Sequence, residues 1–266
     1  MRGERDVTAA NRLVIITGGG SGLGYELARL HLAQNDQVVI TGRDLAKLAA
    51  AQNKLSDPPQ LYTYPLDVTD QEAVSRFADW IKDRFDRCDI LYNNAGSAVF
   101  KAFAEMSPDE IKQTVAVNLE GVLYMTRAFL PLMAARKSGH VVNIASLAGE
   151  VATAKAAVYA ASKAAVIRFS DGLRQEVAAQ GIAVTCILPG PIDTPFLDRA
   201  DQSGKYRAKV RPFLLPPEQA AQLIVRAVED KRAVAAMPRS LSLLAALYRL
   251  LPRRLHALLA PLVNRK

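Results

Sequence analysis

Tyr159 and Lys163 stand four residues apart in Y-A-A-S-K, a spacing that puts both on one face if the segment is helical. An ammonium beside a phenol favours the ionised phenolate. An unperturbed phenol, with a pKa of about 10, is poorly matched to proton transfer near neutrality. A tuned one could pass a proton to or from a carbonyl oxygen. Ser146 closes the apolar run V-V-N-I-A-S and offers a hydroxyl that could hold the same oxygen. Upstream lies a glycine-rich turn, Gly18-Gly19-Gly20-Ser21-Gly22-Leu23-Gly24. Glycines there let the backbone close on a pyrophosphate, which the following helix N-terminus attracts. The spacing Gly18-x-x-x-Gly22-x-Gly24 departs from G-x-G-x-x-G. It also departs from the P-loop, because Tyr25 and Glu26 stand where Lys and Ser/Thr would. Alone, the Tyr-x-x-x-Lys pair would read as a solvated surface pair, and the glycines as a structural turn; together they point to one site.

Those residues need a frame. Apolar, β-rich runs recur at Leu13 to Thr17, Gln37 to Thr41, Leu61 to Pro65, Ile90 to Asn93, His140 to Ala145, Ala183 to Leu188 and, more weakly, Ala233 to Met237, with helix-like stretches between them. Such runs predict a doubly wound α/β fold: about seven parallel strands with helices on both faces. Helix starts are marked at Ser107-Pro108-Asp109-Glu110 and Asp67-Val68-Thr69-Asp70. Nothing resembling a linker or repeat divides residues 1–238, which are read as one domain, with 239–266 as a C-terminal extension. Cys88 and Cys186 lie in or beside strand-like runs, so both are expected reduced and without catalytic work. His31, His140 and His256 show no metal-ligand spacing, and no metal is expected.

Thr17-Gly-x-x-x-Gly-x-Gly24, Asn93-Asn94-Ala95-Gly96, Asn118, Ser146, Tyr159-x-x-x-Lys163 and Pro189-Gly190 stand in one order. In that order they resemble the short-chain dehydrogenase/reductase family, in its compact single-domain branch, over about Arg12 to Met237. The resemblance implies a Rossmann-like NAD(P)-binding fold and interconversion of a ketone and a secondary alcohol. It makes Tyr159 the proton donor in reduction and Ser146 its partner on the substrate oxygen. Lys163 would lower the phenol's pKa and bind the nicotinamide ribose, and Asn118 would join a proton relay through water to Lys163. By the same resemblance Gly18, Gly20, Ser21, Gly22, Leu23 and Gly24 hold the pyrophosphate. Asn93, Asn94, Ala95 and Gly96 form the turn beside the adenosine ribose, and Asp67 and Val68 contact the adenine. Pro189, Gly190, Ile192 and Thr194 cover the nicotinamide. At the end of the second strand Gly42 occupies the discriminating place, with Arg43 next and no acid to bond a ribose 2′-hydroxyl. NADP(H) is therefore expected in preference to NAD(H), with Asp44 capping the next helix.

Lys205, Arg207, Lys209 and Arg211 fall in the connection Pro191 to Leu215, where they could meet an acidic substrate group or simply be solvated. The +8 net charge belongs to the tail: Lys231, Arg232, Arg239, Arg249, Arg253, Arg254, Arg265 and Lys266 have no acid among them, leaving 26 basic against 26 acidic residues before them. Within that tail Leu244, Leu247, Leu251, Leu255, Leu258 and Leu262 form a stripe at helical spacing, with Arg249, Arg253 and His256 on another face. Pro252, Pro261 and the charges leave it short of a membrane span. A helix packed on its own domain or an oligomer contact is the first reading for 240–263, and peripheral contact with anionic lipid the second. Nucleic acid is disfavoured for want of stacking aromatics. The polar N-terminal residues lack a signal peptide's apolar run, so a cytoplasmic place is expected, at most peripheral to the inner membrane face. The leading expectation is an NADP(H)-dependent reductase of a ketone, with a lipid or long-chain acyl substrate in view, assembled as a homodimer or homotetramer through Pro108 to Arg136 and Thr153 to Gln180. A cofactor-binding regulatory protein without turnover is the alternative. A serine hydrolase is excluded for lack of G-x-S-x-G.

Overall fold

The computed structural model describes residues 11–201 and 203–252. In chain order its principal elements are β1 Leu13–Thr17, α1 Gly22–Ala33, β2 Gln37–Gly42, α2 Leu45–Lys54, β3 Leu61–Pro65, α3 Gln71–Phe85 and β4 Ile90–Asn93. There follow α4 Pro108–Val115, α5 Gly121–Ala135, β5 Gly139–Ile144, α6 Ala157–Val177 and β6 Ile182–Pro189. The chain continues through α7 Pro195–Ala200, α8 Lys205–Val210, α9 Pro217–Glu229, β7 Val234–Met237 and α10 Arg239–Leu250. The strands form one parallel sheet of seven in the order β3-β2-β1-β4-β5-β6-β7.

Side-chain alternation along β1 explains the two layers. Val14 and Ile16 join a core with Leu23 and Leu27 of α1, Leu48 of α2 and Ile224 of α9. Leu13 and Ile15 enter another with Val74, Phe77 and Ile81 of α3, Phe129 and Met133 of α5 and Leu173 of α6. A strand buried on both faces must be apolar throughout, and all five residues of β1 are buried. Both cysteines are buried and unpaired, as expected. Of the histidines, His31 bridges Asp36 (2.7 Å) and the Tyr92 hydroxyl (2.9 Å). Burial pushes the His140 imidazole down to about 4. His140 Nε2 lies 2.7 Å from Thr185 Oγ1, which itself donates to the Arg232 carbonyl, so His140 is the Nε2–H tautomer. His256 lies outside the described residues.

Winding reverses between β1 and β4: the chain builds outward from β1 to β3, then resumes on the other side at β4. In such sheets the crevice at the strands' carboxyl ends receives ligands at that reversal. Here it brings the glycine-rich turn after β1 next to the Asn93 to Gly96 segment after β4. The expected caps form. Ser107 and Glu110 make a reciprocal capping box at α4, and Asp70 caps α3.

Three expectations need amendment. The stretch Pro108 to Arg136 is not one regular helix: a π-turn at Ala116–Glu120 separates α4 from α5. The connection Pro191 to Leu215 carries α7 and α8, so it is a structured lid, not a bare loop. The leucine stripe of the tail is described only through α10, which stops at Leu250; Leu251 turns extended (ψ 141°), as the residue before Pro252 should. Arg253, Leu255, His256, Leu258, Pro261 and Leu262 lie outside the described residues. No described helix is long and apolar enough to cross a membrane.

Candidate active site

One cleft of about 990 Å³ opens at the carboxyl ends of β1, β4, β5 and β6 and gathers nearly all the residues expected of a site. Its floor is the glycine-rich turn. Gly18 takes φ +67°, a left-handed conformation that favours glycine. At Gly24 an added Cβ would run into the Gly18 carbonyl and stand 2.7 Å from Asn94 Nδ2. Ser21 leads into α1 without capping it by a side-chain hydrogen bond, so the first amides of the helix face the cleft beside Gly20, Gly22 and Leu23. A bare helix start over a cradle that no side chain could enter is what a dinucleotide pyrophosphate requires, and the site fits that group.

Thr17 fixes the geometry of this floor. Its buried hydroxyl donates to the Tyr92 carbonyl (3.2 Å) and accepts from the amides of Asn94 and Ala95 (both 2.9 Å). Asn94 reaches back, donating to the carbonyls of Thr17 (2.8 Å) and Gly18 (3.3 Å). The Asn94 side chain thus braces the glycine turn from below, while Ala95 and Gly96 line the cleft.

At the adenosine end Gly42, Arg43, Asp67 and Val68 line the wall. Asp44 caps α2, accepting from the Lys47 amide at 3.1 Å, as its position suggested. Arg43 is exposed, and its nearest acid is Asp67 at 3.7 Å, a loose surface pair of little worth. An added Cβ on Gly42 would meet nothing closer than Leu48 Cδ2 at 3.7 Å.

The chemical end is built by β5 and α6. Ser146, just past β5, is buried beside the Tyr159 phenol, and its hydroxyl donates to the Pro189 carbonyl at 3.4 Å. The Ala148 amide donates to the same Ser146 oxygen at 3.1 Å, fixing its rotamer. Lys163 is buried, with Nζ 5.9 Å from the Tyr159 ring centroid and donating to the Ile144 carbonyl at 2.7 Å. Burial lowers Lys163 to about 8. The phenol does not behave as its spacing suggested. Desolvation pushes it up to about 12 and outweighs the lowering influence of the neighbouring Ser146 hydroxyl, while the ammonium donates to the Ile144 carbonyl. Tyr159 is therefore protonated at neutral pH, the form a proton donor needs.

Asn118 is fully buried in the π-turn and does not line the cleft. Its Oδ1 accepts from the Ser97 amide (2.8 Å), and its Nδ2 donates to the Ser97 carbonyl (2.8 Å) and Ser162 Oγ (3.0 Å). An added Cβ at Gly96 would stand 3.5 Å from Asn118 Oδ1 and 3.8 Å from Lys163 Nζ, so both residues flank that glycine. π-turns of this kind gather at functional sites.

Pro189, Gly190, Ile192 and Thr194 form the roof, Thr194 packing over Gly22. Several cleft residues escaped the sequence reading. Phe100 and Phe196 flank the Tyr159 ring at 5.9 and 6.1 Å, and Tyr206 of α8 packs tilted against Phe100 at 4.4 Å. Of the two readings of the lid cations, the solvated one fits their placement: Lys205, Lys209 and Arg211 are exposed. Arg207 is clasped by Asp193 and Asp198, and neither it nor Lys205, Lys209 or Arg211 lines the cleft.

A cradle for a dinucleotide beside a Ser–Tyr–Lys cluster on a doubly wound sheet defines a dehydrogenase-like protein. A family model described as short chain dehydrogenase matches residues 12–204. The chain belongs to the short-chain dehydrogenase/reductase family of oxidoreductases. It is 35% identical, over 84% of its length and 94% of the relative's, to an uncharacterized oxidoreductase of Staphylococcus saprophyticus. Among solved structures, it resembles a short-chain dehydrogenase from Streptomyces avermitilis with TM-score 0.81 and 29% identity, covering 95% of this chain and 96% of that one. It also resembles a closed form of serine dehydrogenase complexed with NADP+, with TM-score 0.76 and 30% identity over 85% and 94% of the two chains.

Proposed function

We propose that the protein is an NADP(H)-dependent oxidoreductase interconverting a ketone and a secondary alcohol, with Tyr159 as proton donor in reduction. The observation that carries this reading is the convergence of Ser146, Tyr159 and Lys163 on the wall of the cleft floored by the glycine-rich turn, with Lys163 Nζ 5.9 Å from the Tyr159 ring centroid. When bound, the nicotinamide supplies hydride to the carbonyl carbon. Ser146 holds the carbonyl oxygen and Tyr159 gives it a proton. Lys163, a cation below about pH 8, stabilises the negative charge left on the phenol. Asn118 acts as a positioning residue, holding the Ser97 backbone beside Lys163 and, through water, linking the lysine to bulk proton exchange.

Arg43, exposed and only loosely paired with Asp67 at 3.7 Å, supports the 2′-phosphate of NADP(H), and the similar serine dehydrogenase complexed with NADP+ is consistent with that choice. The aromatic surroundings of Tyr159 support a lipid or long-chain acyl substrate. Oxidation of NADPH and NADH against ketones of rising length tests the reading. Turnover with NADPH should fall at least about a hundredfold in Tyr159→Phe. Unchanged turnover in that variant would remove Tyr159 from the chemistry.

We further propose a homodimer or homotetramer through Pro108 to Arg136, which carries α4 and α5, and Thr153 to Gln180, which carries α6, to be read by light scattering. Peripheral contact with anionic lipid draws support from the exposed Leu243, Leu247 and Leu250 on α10. Co-sedimentation with phosphatidylserine vesicles, undiminished in Leu243→Ser/Leu247→Ser, would end the lipid proposal.

A further inference from the structure

The tail enters the cleft. Leu241, Ala245 and Tyr248, at i, i+4 and i+7 of α10, all line it, and Leu244 lines its rim although more than half exposed. The start of the helix is seated against the roof. The Gly190 amide donates to the Met237 carbonyl at 2.7 Å, and the Ser242 hydroxyl donates to the Pro238 carbonyl at 3.1 Å. An added Cβ at Gly190 would come within 3.1 Å of Leu241 Cδ1. A second leucine row, Leu243, Leu247 and Leu250, points away and is exposed. The helix therefore has two apolar faces, of which one is part of the cleft wall.

We propose that α10 is the outer wall of the substrate end of the cleft, where Leu244 and Tyr248 gauge the length of an apolar chain attached to the ketone. This rests on the ketone-reductase reading above. Contacts assign α10 to substrate and not to cofactor: Leu241 abuts Gly190, whereas the space around Gly18, Gly20, Gly22, Gly24 and Gly42 is bounded by no residue of α10. The cations Lys47 and Arg199 line both the cleft and a smaller cavity at Gly20 to Gly22, where Lys54 joins them, and α10 contributes no residue to that smaller cavity. The rings around Tyr159 (Phe100 and Phe196, with Tyr206 against Phe100) line the same cleft as Phe213 and the α10 residues Leu241 and Leu244. Such a wall rewards each methylene removed from water by about fourfold in affinity, until the chain passes the last residue that covers it.

Calorimetric titration of the full chain, saturated with NADP+, with 2-butanone, 2-hexanone, 2-octanone and 2-decanone tests this without requiring turnover. Wild-type affinity should climb with chain length. In Leu244→Ser/Tyr248→Ser the affinity for 2-decanone should drop at least about tenfold, with 2-butanone changed less than about twofold. Leu243→Ser/Leu247→Ser, on the outward row, should match wild type throughout. Leu244→Trp, at an exposed rim position that folding tolerates, should penalise the longest ketone alone. No length dependence in wild type, or equal losses for short and long ketones in the variants, overturns the proposal. Length-dependent binding without reduction of any ketone would sink the reductase reading and leave the role of α10 standing. Normal reduction with indifferent α10 variants would do the reverse.

Discussion

Tyr159 and Lys163 are drawn in opposite directions by one cause: a low-dielectric wall favours the neutral form of each, so the phenol's pKa rises to about 12 and the ammonium's falls to about 8. The consequence has a sign. Tyr159 keeps its proton across the working range, whereas Lys163 is a cation below about pH 8 and loses its charge above. Reductive kcat/KM should therefore hold at neutral pH and fall as pH rises through about 8, and a pH–rate profile of NADPH oxidation checks it. Lys163→Arg should move that fall out of the measurable range. At the far end of the cleft, the space beside Gly42 accepts a larger side chain, with Leu48 at 3.7 Å as the nearest neighbour. Gly42→Asp should weaken NADPH binding tenfold or more by setting a carboxylate against the 2′-phosphate, while NADH binding holds or improves. Fluorescence titration of both cofactors decides it.

Between residues and fold stand the elements that keep α6 in place. Asn93 donates to Asn143 (2.8 Å), Asn143 to Ser170 (2.9 Å) and Ser170 to the Val166 carbonyl (2.7 Å), a buried polar chain from β4 through β5 into the helix that carries Tyr159 and Lys163. Asn143→Ala should cost about 1–3 kcal/mol of stability and lower kcat more than it changes cofactor affinity; a melting curve beside steady-state kinetics separates the two. The strands were largely legible in the sequence. β1, β3 and β4 have the expected ends because near-continuous apolar runs meet abrupt turn residues there. The glycine floor and the Ser–Tyr–Lys cluster were legible for the same local reason. The polar chain, the aromatic flank of Tyr159 and the bonds of Asn118 to Ser97 and Ser162 were not. Apart from the local Ser170–Val166 bond, they join residues at least 21 positions apart, and periodicity carries no signal of such meetings. The tail was legible in part: a helix packed on its own domain was its first reading, and α10 lies against the domain through Leu241, Ala245 and Tyr248, but nothing local indicated which surface it would meet.

For the whole molecule, the buried histidines set an acid limit. His140 has a folded pKa of about 4, against about 6.5 when unfolded, so between those values the unfolded chain binds a proton that the folded one refuses. Its contribution to stability is full above about pH 6.5 and is lost as pH falls towards 4, by about 3 kcal/mol at the lower end. His31, also lowered by burial, acts in the same sense. Denaturant titrations at pH 7 and 5 should show the loss, and His140→Asn should shrink it. The clasp of Arg207 on Asp193 and Asp198 acts over the same large scale, because it ties α8 to the roof segment and to α7. All three side chains are partly open to water, so dissolved ions compete with them for one another. Where departure of product through this lid is the slow step, its dwell time becomes a function of ionic strength. Turnover should then quicken between 50 mM and 500 mM sodium chloride in the native chain and stay level in Arg207→Gln.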